Sequence, residues 1–172
     1  MSRSAETGAD RALDPPRCGP YVPPVSIFAA LRALHLLAMA LWFSTALFFP
    51  GDVRRTLARG APHTSVLAER TDRVVRFSAL AGFLTVGTGL GLVFQMGGMR
   101  ALPTRLHIGL GLGVLLLLLE VAAIGPVWAG VSKALAADKL DEARAQAKRL
   151  APLSGVSHLL RLAAFVSMLV RV

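Results

Sequence analysis

The sequence predicts an all-α fold, a polytopic four-helix membrane bundle, and three observations carry that expectation. Four apolar runs occupy about 25–49, 74–97, 105–129 and 154–170, and a helix crosses a bilayer in roughly 20 residues. Hydrophobic residues make up 54% of the 172-residue chain and charged ones only 17%, too apolar a balance for a soluble domain of this size. The basic residues stand mostly between the apolar runs, where topology signals belong. They explain the formal charge of +9 without a continuous basic face, so no nucleic-acid partner is expected.

Residues 1–23 are polar, small and proline-rich, with no helical or alternating period, and are expected to form a disordered extracytoplasmic tail ahead of a four-span domain over 24–172. The single cysteine, Cys18, lies in this tail and excludes an intrachain disulfide. The first span should end at Pro50-Gly51, because proline disfavours helix in the residue before it. A polar loop with Arg54, Arg55, Arg59, Arg70 and Arg73 follows. The second span is glycine-rich, and Gly87 and Gly91 stand four apart on one helix face, a spacing that lets two helices approach closely. Pro103 sits where a helix start tolerates it. The third span carries a second four-spaced pair, Gly109 and Gly113, then a leucine run and Glu120. These glycine faces are the candidate contacts with a homo-oligomer or a larger membrane complex. The charged, alanine-rich segment 132–150 has a weak apolar stripe. It either prolongs the third helix or forms a separate amphipathic cytoplasmic helix.

Five Lys and Arg fall between spans one and two and five between spans three and four. The positive-inside rule therefore puts both long connections in the cytoplasm and both termini outside, as expected of a multi-pass protein of a bacterial-type inner membrane.

With about 1.5 Å of rise per residue, His35 lies about 15 Å below the outer end of the first span, near the midplane. His107 lies close to the outer end of the third span, and only these two histidines can face a common outer cavity. They are candidate cofactor or metal ligands. A depth difference of roughly 10 Å is awkward for two imidazoles on one iron. Met39, one turn below His35, and Met96 are further candidate ligands, with Met99 and Met168 near the outer ends of spans two and four. Histidine with thioether suits Cu(I) as well as haem iron; equally, the methionines can be gap-fillers of the bundle. Arg32 can snorkel outward or meet a haem propionate. Glu120 and Arg161 fall at similar depth and can pair, since either charge alone would be expensive in the membrane. That pair is read as a structural ion pair, with a proton relay as the alternative. No nucleophile elbow, phosphate loop or pair of metal ligands at i, i+4 is present.

The stretch LRALHLLAMALWFSTALFFP (31–50), with a histidine followed seven residues later by Trp-Phe, resembles the first span of the CopD-like, HemJ-like and DUF2269-like group of small four-helix membrane proteins. RLHIGLGLGVLLLLLE (105–120) is similar to that group's third span, and the resemblance runs from about residue 26 to the end. It implies a four-helix bundle with His35 and His107 as ligands. Haem b with protoporphyrinogen oxidation is implied by the HemJ-like members, and copper handling by the CopD-like ones. The expected function is thus haem b or copper binding for electron transfer or copper handling. The alternatives are a structural or accessory subunit that binds nothing, with His35 hydrogen-bonded to Ser44, Thr45, Glu120 or a carbonyl of a neighbouring helix, and a HemJ-type oxidase.

Overall fold

The computed structural model describes residues 26–169, without the side chains of 46–48 and 169. The tail 1–23, Cys18, Val25 and the last residues of the fourth span therefore lie outside the described residues. Everything described is helix and tight turn, with no strand among the described residues. Four helical segments are long and apolar enough to cross a membrane: Ile27–Arg59, His63–Gln95, Thr104–Ala136 and Leu140–Met168. The chain is a multi-pass membrane protein.

The first helix, α1 (Ile27–Arg59), opens at Ser26, whose side chain accepts the Ala29 N–H at 3.1 Å. Contrary to the sequence expectation, it does not stop at Pro50-Gly51 but runs on to Arg59. Proline inside a helix removes one backbone bond and costs about 3 kcal/mol. Beyond it Val53 and Leu57, four apart, are buried in a cluster with Leu67, Trp128, Val131, Ala134, Ala143 and Leu150. Burying two such side chains is worth roughly 1.5–3 kcal/mol each, enough to carry the helix through. The expected polar loop is accordingly a helical hairpin. The chain turns at Gly60, which adopts φ +73°, and α2 (His63–Gln95) starts directly.

After α2 a short 3-10 turn (Met99–Ala101) leads into α3 (Thr104–Leu119), preceded by Pro103. The third span is interrupted once, by a π-helical turn at Glu120–Ile124, before α4 (Gly125–Ala136). Pro126, which has no N–H and whose ring crowds the carbonyl four residues earlier, accounts for that widened turn. In it the Gly125 N–H bonds to the Glu120 carbonyl. Both expected forms of 132–150 occur. The third helix is prolonged to Ala136, and α5 (Leu140–Ala147) is a separate amphipathic helix before α6 (Leu150–Leu169).

The helices form an antiparallel bundle with two ends. One carries the start of α1, the α2–α3 turn and the end of α6; the other, arginine-rich, carries the α1–α2 turn and α5. Large side chains such as Phe94, Leu159 and Leu162 are exposed along the outside, as expected for surfaces that meet acyl chains.

Within the chain, the two members of each four-spaced glycine pair have different surroundings. Gly91 is filled by Leu31, and Gly109 lies against Met168 and Ser167 of α6, while a Cβ at Gly87 or Gly113 meets nothing within 4 Å. The close approach of α1 to α2 uses Gly91 together with two glycines outside these pairs. A Cβ on Gly82 would come within 2.9 Å of the Trp42 ring, and one on Gly89 within 3.2 Å of the His35 ring. His35 and Trp42 are seven residues apart on α1, as Gly82 and Gly89 are on α2. Two antiparallel helices thus mesh large side chains into glycine notches at one common period.

Candidate functional site

Two polar centres lie inside the bundle, one toward the termini and one at its middle. The first is built on His35, whose Nδ1 lies 3.0 Å from the Thr85 carbonyl and 3.1 Å from the Thr88 hydroxyl. A carbonyl only accepts, so Nδ1 carries the proton. The Thr88 hydroxyl already donates to the Leu84 carbonyl at 2.6 Å, so it too accepts from the ring. This fixes the tautomer: Nε2 bears the lone pair and has no hydrogen-bond partner among the described residues. Of the partners the sequence offered His35, the carbonyl of a neighbouring helix is the one it uses.

His35 lines a cavity of about 410 Å³ together with Arg32, Met96, Arg105, Gly109 and Met168, among mostly aliphatic neighbours. The structure therefore brings together His35, Arg32, Met96 and Met168, and adds Arg105. It does not bring His107 to them. On α3 the cavity is lined by residues 105, 106, 109, 110 and 113; at 100° per residue, position 107 falls on the far side of the helix. His107 is exposed, with Nδ1 3.4 Å from the Pro103 carbonyl of its own turn. A paired site with His35 is thus corrected by the rotation of α3. Met39, one turn along from His35, does not line this cavity either. Among the described residues no group of three or more His, Cys, Asp and Glu converges.

The second centre surrounds Glu120 and Arg161, which are ion-paired and only 9% and 3% exposed at their side chains. Glu120 Oε2 also accepts the Trp42 indole N–H at 2.8 Å and the Ser78 hydroxyl at 3.2 Å. Arg161 donates to the Ser157 hydroxyl at 2.8 Å and lies 5.7 Å from the centre of the Trp42 ring. Thr45 adjoins the network: its hydroxyl donates to the Trp42 carbonyl at 2.9 Å and lies 3.1 Å from the Ser78 hydroxyl. One carboxylate, set at the start of the π-turn, thereby ties α1, α2 and α6 to the third span. A buried charge pair persists when its remaining donors and acceptors are satisfied, and here Trp42, Ser78 and Ser157 do most of that. A smaller cavity of about 260 Å³ adjoins the network and is also lined by His158 and Arg76.

Ser78 and Thr85, and the pairing of Trp42 with Gly82 and of His35 with Gly89, are what sequence reasoning missed. The signal that could have found them was the shared seven-residue spacing of the large residues on α1 and the glycines on α2. A similar tie recurs at the arginine-rich end, where the buried Trp128 donates its indole N–H to Asp72 at 2.6 Å. No family model, curated protein or solved structure matches the chain.

Proposed function

We propose that this protein binds haem b in the cavity beside His35 and serves electron transfer in the bilayer, in line with its resemblance to the CopD-like and HemJ-like group. The observation that carries the proposal is the state of His35: Nδ1–H is committed to the Thr85 carbonyl and Nε2 is left with its lone pair beside a cavity. A second hydrogen bond of this kind is how proteins orient a metal-ligating imidazole and raise its basicity.

The other residues of the cavity fit the group. Arg32 and Arg105 line it and are cations of the type that recognise propionate carboxylates. The glycine notch at Gly89 leaves room for the imidazole ring. Met96 and Met168 are the soft ligands available on the same cavity, whose walls are mostly aliphatic. When bound, haem supplies one-electron chemistry at a potential set by its axial ligand and burial. The chain's own part is to hold the ring at His35 and neutralise its carboxylates.

Copper handling is a second reading, favoured by the presence of two thioethers and one imidazole on a single cavity, a donor set suited to Cu(I). Purification from cells supplied with haem precursor, and separately with copper, distinguishes the two. A Soret band lost in His35→Ala supports haem; stoichiometric copper lost in the same variant supports the metal. Protein that takes up neither and co-purifies with other subunits would instead be an accessory subunit. Rescue of haem synthesis in cells lacking their own oxidase would extend the haem reading to HemJ-type catalysis.

The orientation is part of the proposal. The basic residues of the two long connections gather at the arginine-rich end, and the positive-inside rule places that end in the cytoplasm of a bacterial-type cell with both termini outside. A reporter fused to either terminus should be active only in an extracytoplasmic assay.

A further inference from the structure

At the arginine-rich end, α1 and the α5–α6 junction enclose a groove of about 440 Å³. Arg54, Arg144 and Lys148 line it, no carboxylate does, and Pro50, Ala147 and Ala151 contribute apolar wall. Arg54 and Lys148 form no ion pair among the described residues. Arg144 is held in place: Nε and one terminal nitrogen donate to the Leu57 carbonyl at 3.2 and 3.1 Å, and the other nitrogen reaches Asp141 at 3.2 Å. The adjacent groove on α1 contrasts with this one. Arg55 and Arg70 line it together with Asp52, which is paired to Arg70.

Position in the chain gives the charged groove its meaning. Residues 50–58 follow the first apolar run and residues 144–151 precede the last. The groove therefore lies where two spanning helices leave the hydrocarbon, at the level of lipid headgroups. Cations above an apolar cleft at that depth match a headgroup phosphate with acyl chains beneath it.

We infer that this groove seats an anionic phospholipid, with its phosphate at Arg54 and Lys148 and its acyl chains running toward Pro50 and Ala151. The site is separate from the His35 cavity and does not depend on what that cavity binds. Native mass spectrometry of the full chain in detergent tests it, with phosphatidylglycerol or phosphatidylcholine added. The wild type should retain phosphatidylglycerol preferentially. R54Q/K148Q should weaken that retention about thirtyfold, from about fivefold per cation, whereas R55Q on the neighbouring groove should leave it unchanged. Glycerol phosphate should not displace the lipid. Equal retention of the two lipids by the wild type, undiminished binding in R54Q/K148Q or an equal loss in R55Q would overturn the inference. Displacement by glycerol phosphate would do so as well, by making this a site for a soluble phosphate. If the double variant misfolds by circular dichroism, the wild type's discrimination between the two lipids decides alone.

Discussion

Trp42 donates its indole N–H to Glu120 across 2.8 Å while its ring lies 5.7 Å from the Arg161 guanidinium. One side chain thus supports both members of the buried ion pair, by a hydrogen bond to the anion and by its π face to the cation. Removing either ion should be costly, because the other stays buried. Glu120→Ala and Arg161→Ala are each expected to lose about 3–5 kcal/mol, and Glu120→Leu/Arg161→Leu should recover most of that loss. Unfolding in a detergent-denaturant titration, run as a double-mutant cycle, measures this. Additive losses would show that the two residues are not coupled.

Trp42→Phe keeps most of the ring and removes only the donor. The expected loss is about 1–3 kcal/mol, that of an unmet hydrogen bond to a buried charged group. It should vanish in the Glu120→Leu/Arg161→Leu background. A loss that persists there would assign the role of Trp42 to packing alone.

The glycines of α2 should differ sharply although they are chemically identical. Gly89→Ala drives a methyl against the His35 ring and should lower occupancy of the neighbouring cavity. Gly82→Ala meets both Trp42 and Leu117 at about contact-violating distance and should destabilise by about 1–3 kcal/mol. Gly87→Ala meets nothing and should be neutral or stabilise the helix by up to about 1 kcal/mol. Thermal melts of the three variants check the order.

The helical hairpin beyond Pro50 depends on its own core. Leu57→Ala is expected to cost about 2–5 kcal/mol locally and to open the chain around Arg54, Arg55 and Arg59 to trypsin. In the wild type the bonds after Arg54 and Arg55 lie within helix, and Arg59 ends it, so the first two should be cut slowly. Equal cleavage rates in the two proteins would mean that this extension is not held by the Val53–Leu57 cluster.

The spans were legible in the sequence because an apolar run of bilayer length has few other uses. The depths of Glu120 and Arg161 were legible for a related reason: rise per residue and burial cost constrain where a charge can sit. What lay beyond local reading was rotation. His107 lies on the side of α3 away from the His35 cavity, since distance along a span is set by the sequence and azimuth by packing against α6 and α2. The stop expected at Pro50 failed because Val53 and Leu57 find distant partners, Trp128 and Leu150 among them. The π-turn escaped notice although Pro126 was visible, because its effect depends on the helix continuing on both sides.

The most direct test of the account is the absorption spectrum of detergent-purified protein, oxidised and reduced, from cells supplied with haem precursor. Wild type, His35→Ala and His107→Ala are compared. The account predicts a Soret band in the wild type and in His107→Ala, and its loss from a normally helical His35→Ala. A colourless wild type, or a Soret band that survives in His35→Ala, would contradict it.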